Sequence, residues 1–125
     1  MTRTLTIQIK SNSRALEELR QTLKDSEAGR PVDRRDAVHF TSIEAARTLL
    51  TPGRLALLRA VRSKRPGSIY ELAKMVNRDL KNVQDDVRLL QTYGLIRMAD
   101  AMRAGRRRVR VPRALFHQIE LKIAI

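Results

Sequence analysis

Ser68-Ile69-Tyr70-Glu71-Leu72-Ala73-Lys74-Met75-Val76-Asn77-Arg78-Asp79-Leu80-Lys81-Asn82-Val83-Gln84-Asp85-Asp86-Val87-Arg88-Leu89-Leu90-Gln91-Thr92-Tyr93-Gly94 contains two helix starts and two helix stops. Ser68 and Glu71 have the Ser-x-x-Glu spacing of a capping box, which satisfies two free backbone donors and predicts a helix through about residue 76, with Leu72, Ala73 and Val76 inward. After Asn77-Arg78, the carboxylate of Asp79 caps a second helix over 80–93. Val83, Val87 and Leu90 recur there at i, i+4 and i+7, and Gly94 supplies a left-handed stop.

Toward the N-terminus, Lys64-Arg65-Pro66-Gly67 breaks a preceding helix over 52–63 that opens at Thr51-Pro52 and carries Leu55, Leu58 and Val61 inward. Thr41 or Ser42 opens a helix over 43–50. Residues 25–40, with Gly29, Pro31 and seven charged side chains, read as a connector. Ser13 caps a short amphipathic helix over 14–24 with Leu16, Leu19 and Leu23 on one face, and residues 4–10 alternate like a half-buried strand.

Toward the C-terminus, 95–98 and 108–111 are short strands around Gly105 that read as a hairpin closed by Pro112. Ile119, Leu121, Ile123 and Ile125 alternate in a last strand over 118–125, with a helix through 113–118 as the alternative. The expected division is an N-terminal strand-helix extension and linker at 1–38, a central domain at 39–112 and a C-terminal strand at 113–125.

Helix, helix-turn-helix and hairpin in this order give an α+β fold with a winged helix-turn-helix, flanked by the N-terminal extension and the C-terminal strand. In that arrangement the helix over 80–93 enters the major groove of a duplex and the hairpin tip touches an adjacent groove or backbone. Ser68 and Tyr70 are candidates for phosphate contacts, and Arg78 and Lys81 for guanine or phosphate. Asn82 and Gln84 can pair with adenine, Asp85 can accept from cytosine, and Arg88 adds a further cation. Arg103, Arg106, Arg107, Arg108 and Arg110 gather five guanidinium groups in eight residues. Any surface helix carries polar residues, so it is the order of elements that gives these side chains their reading.

Charge agrees with a polyanionic partner. The formal net charge is +13; residues 1–50 hold 9 Lys/Arg against 7 Asp/Glu, whereas 51–125 hold 17 against 6. Such a field attracts nucleic acid in a salt-dependent way. Aromatic residues are only 3% of the chain, which disfavours a reader of single-stranded RNA built on stacking. Tyr93, Phe40 and Phe116 read as core.

The chain has no cysteine, which removes disulfides, thiolate nucleophiles and Cys-based metal sites. His39 and His117 lie in no metal-ligand spacing, and no phosphate loop or nucleophile motif accompanies Asp33, Asp36, Asp85 or Asp86, so no enzymatic activity, cofactor or metal is expected. No apolar run has the length of a membrane span or the form of a signal peptide, from which a cytoplasmic protein without membrane partners is expected.

Leu49-Leu50-Thr51-Pro52-Gly53-Arg54-Leu55, Ser68–Ala73, Lys81–Leu90 and Gly94-Leu95-Ile96 resemble a family of small MarR-like winged-helix regulators over roughly residues 40–112. Some members are regarded as antitoxins. The resemblance implies repression of the protein's own operon through double-stranded DNA. It also implies, as the alternative, an antitoxin or adaptor that mainly neutralises a toxin or other protein partner. The strands at 4–10 and 118–125 can pair with each other or across the two-fold axis of a homodimer, or dock a partner by strand addition.

Overall fold

The computed structural model describes residues 3–29, 37–103 and 107–125, with the backbone but not the side chains of Arg103 and Arg107. The described residues form a mixed α+β structure of five helices and five strands. In chain order these are β1 (Thr4–Ile9), α1 (Asn12–Glu27), β2 (Ala37–Phe40), α2 (Ile43–Leu49), α3 (Pro52–Lys64), α4 (Ile69–Val76), α5 (Leu80–Thr92), β3 (Ile96–Arg103), β4 (Arg107–Ala114) and β5 (Gln118–Ile123). None of the described helices is long and apolar enough to cross a membrane.

The chain divides into two compact units, one of residues 1–48 with 118–125 and one of residues 49–117. The expected boundaries at 38/39 and 112/113 therefore fall elsewhere. Strand pairing is the cause: residues 37–40, read as connector, form β2 and pair with β1, so they belong with the N-terminus.

In the first unit the sheet order is β2-β1-β5, and β1 is parallel to both neighbours. The two ends of the chain thus pair with each other. Leu5, Ile7 and Ile9 are buried, and their register partners Ile119, Leu121 and Ile123 lie on the same sheet face because side chains alternate along each strand. The first helix is capped by Ser11, whose Oγ accepts from the Arg14 backbone N–H at 3.3 Å, and not by Ser13. It runs to Glu27 and buries no residue; Leu16, Leu19 and Leu23, the expected inward face, are each more than half exposed.

In the second unit α3, α4 and α5 pack around Leu57, Ala60, Val61, Leu72, Ala73, Val83, Val87 and Leu90. Within α3 the buried stripe is Leu57, Ala60 and Val61, whereas Leu55 and Leu58 are only partly covered. Six of the seven residues from Leu55 to Val61 are apolar, so periodicity alone does not single out the face that its neighbours select. Tyr93 is exposed at the end of α5 and is not core; Phe40 is buried and Phe116 half-buried.

The strands β3 and β4 are antiparallel and run eight residues each, from the Ile96↔Ala114 pair to the Arg103↔Arg107 pair. Pro112 lies within β4, opposite Met98, and does not end the strand. A proline lacks a donor, but each strand of a two-stranded sheet has one edge without a ladder partner, so it is accommodated there.

Candidate functional site

Three side-chain caps fix the helix starts of the second unit. Thr51 Oγ1 accepts from Arg54 N at 3.2 Å, Ser68 Oγ from Glu71 N at 3.0 Å, and Asp79 Oδ2 from Asn82 N at 3.2 Å. Each replaces a backbone partner that the first helical turn lacks. Glu71 returns its carboxylate to the N–H of Gly67, one residue before the cap. Between α4 and α5 the chain passes through Asn77 in the left-handed region, at φ 54°, and α5 is followed by Gly94 at φ 78°.

The fifth helix buries Val83, Val87 and Leu90 and exposes Lys81, Asn82, Gln84, Asp85 and Arg88. At about 100° per residue, Lys81, Gln84, Asp85 and Arg88 form one stripe opposite the buried face, and Asn82 lies roughly a quarter turn to its side. Gln84 and Arg88 line a shallow groove with Ile69 at the start of α4 and Met98 on β3. Asp85 and Arg88 approach to 3.9 Å, both well exposed. Such a pair contributes little to stability and leaves both groups accessible.

Ser68 and Tyr70 sit at the N-terminal end of α4. The Ser68 hydroxyl oxygen is engaged as the cap, and the exposed Tyr70 ring has Lys74 Nζ 4.4 Å from its centroid.

Arg78 differs from this group. Its Nη2 donates to Asp86 Oδ2 at 2.7 Å, while Arg54 Nε of α3 donates to Asp86 Oδ1 at 3.1 Å. One carboxylate on α5 therefore ties together α3 and the turn between α4 and α5, and Arg54 also donates to the Leu49 carbonyl at 3.3 Å. Arg78, expected as a guanine or phosphate contact, has its Nη2 engaged by Asp86 and its Nη1 buried, with about a third of its side chain (32%) exposed. The adjacent acids thus do different work, with Asp86 turned inward and Asp85 outward.

On the hairpin, Arg108 and Arg110 are exposed and pair in register with Met102 and Asp100. Arg103 and Arg107 form the last described pair of the ladder. Arg106 and Gly105 lie outside the described residues.

Sequence reasoning missed a second basic cluster. Arg59, Arg62, Ser63 and Arg65 line one depression at the end of α3, and Val61, Arg62, Arg65, Arg113 and Ala114 line the next. The i, i+3 spacing of Arg59 and Arg62 was the available signal; the approach of Arg113 from β4 depends on tertiary folding. Residues 49–117 carry 16 Lys/Arg against 5 Asp/Glu, so the basic excess of the chain is concentrated in this unit.

The model of the family HVO_A0114 matches residues 49–119, more than half of the chain and the whole of the second unit. No curated protein and no solved structure matches. By this match the chain belongs to the HVO_A0114 family.

Proposed function

We propose that residues 49–117 are a winged helix-turn-helix that binds double-stranded DNA in a sequence-dependent way, and that the protein is a transcriptional regulator repressing its own operon. The observation that carries this reading is the placement of α5. It buries one apolar face, turns Lys81, Gln84, Asp85 and Arg88 outward, and is followed directly by a hairpin bearing arginines.

In this reading α5 is the element in the major groove. Gln84 recognises a base edge, Lys81 and Arg88 reach a base or a phosphate, and Asn82 reaches from the flank. Arg108 and its hairpin neighbours supply the sequence-independent attraction to phosphate, and the N-terminal end of α4 approaches the backbone through Ser68 and Tyr70. Asp86 holds the presented helix against α3 and does not touch the duplex.

The test is a titration of labelled duplex with the parent protein and with a Lys81→Ala/Gln84→Ala/Arg88→Ala variant. The expected result is at least about tenfold weaker binding by the variant, since one good base contact alone is worth roughly 1–3 kcal/mol. Equal affinity, with the fold intact by circular dichroism, would remove α5 from the interface.

A further inference from the structure

The strand β5 is an edge of the sheet β2-β1-β5, and its residues from Glu120 to Ile123 are all exposed. Ala124 N donates to Ile9 O at 3.0 Å, so the N–H groups of even-numbered residues here point toward β1. Successive peptide groups alternate along a strand, so Ile119, Leu121 and Ile123 direct their N–H and C=O groups away from β1, to the open edge. Leu121 and Ile123 are also about half exposed.

The sequence of this edge is self-complementary when read against itself in reverse. With a two-fold axis at Leu121, an antiparallel second copy sets Leu121 opposite Leu121, Ile119 opposite Ile123, and Glu120 opposite Lys122. The outward-pointing odd residues then exchange hydrogen bonds. Glu120 and Lys122 fall at the non-hydrogen-bonded positions, where opposed side chains approach most closely. Moving the axis by one residue sets Glu120 against Glu120 or Lys122 against Lys122. Among the described residues neither Glu120 nor Lys122 has an intramolecular ion-pair partner.

We propose that the occupant of the β5 edge is a second copy of this chain, paired antiparallel about Leu121 to make a continuous six-stranded sheet β2-β1-β5-β5-β1-β2. A six-residue strand pair lies at the small end of protein interfaces, so the association is a concentration-dependent monomer–dimer equilibrium. The pairing is isologous, as a two-fold axis requires. It does not depend on the DNA-binding reading, because all the residues involved belong to the first unit.

Sedimentation velocity of the full chain without DNA, from about 1 to 300 μM, together with two charge swaps, tests the proposal. The parent protein is expected to shift from monomer to dimer across this range. Glu120→Lys alone and Lys122→Glu alone each place like charges opposite one another twice, and each is expected to raise the dissociation constant on the order of tenfold. Mixing the two single variants restores complementary pairs in a heterodimer and is expected to recover the parent's association. That recovery would not occur if the swaps had merely damaged the fold. A parent that stays monomeric throughout, or single swaps that self-associate like the parent, would overturn the proposal.

Discussion

The carboxylate of Asp86 accepts from Arg78 at 2.7 Å with only 15% of its side chain exposed, and it also receives Arg54 on its other oxygen. A partly buried acid between two guanidinium groups joins three segments that no local sequence rule would connect. Removing the acid leaves two cations close together in a poorly hydrated place. Asp86→Ala is therefore expected to lower unfolding stability by about 1–3 kcal/mol, less than for a fully buried pair, read as a lower urea midpoint.

Arg78 and Arg108 separate structure from binding. Arg78→Ala is expected to move the urea midpoint while leaving the salt dependence of duplex binding unchanged. Arg108→Ala, at an exposed hairpin position, is expected to leave the midpoint unchanged and to reduce the slope of log affinity against log salt by about one unit.

Gly94 ends α5 at φ 78°, with no atom near the site where a Cβ would stand. The cost of a side chain there is one of backbone conformation and not of crowding. Gly94→Ala is expected to destabilise the protein by about 1–2 kcal/mol, measured by thermal or urea unfolding.

Ser68 caps α4, and Ser68→Ala is expected to cost about 1 kcal/mol of stability through the unsatisfied Glu71 N–H. Ser68→Asp restores the cap but adds a negative charge at the proposed phosphate contact. It is expected to recover the urea midpoint and to weaken duplex binding.

The helices of the second unit were legible because their signals are local. Thr51-Pro52, the Ser68/Glu71 spacing, Asp79 and Gly94 each act within one turn, and all four stand where the sequence rules put them. The exposed positions of Lys81, Gln84 and Arg88 followed from the same periodicity. Features fixed by distant partners were not legible. The four residues of β2 gain their strand from β1, about thirty residues earlier in the chain. Pro112 remains in a strand because of its place in the sheet, and Arg78 gains an intramolecular partner from an acid eight residues later. Leu16, Leu19 and Leu23 have the spacing of a buried face yet are exposed, since periodicity identifies an apolar stripe and not whether anything covers it.

Competition between duplexes separates sequence recognition from attraction to a basic surface. The purified chain is titrated against the DNA upstream of its own coding sequence and against a scrambled duplex of equal length and composition, at about 50 and 200 mM salt. The expected result is weaker binding to both at the higher salt and a preference for the upstream duplex that persists there. Equal binding to the two duplexes that disappears at the higher salt would contradict it, leaving a basic surface without sequence recognition.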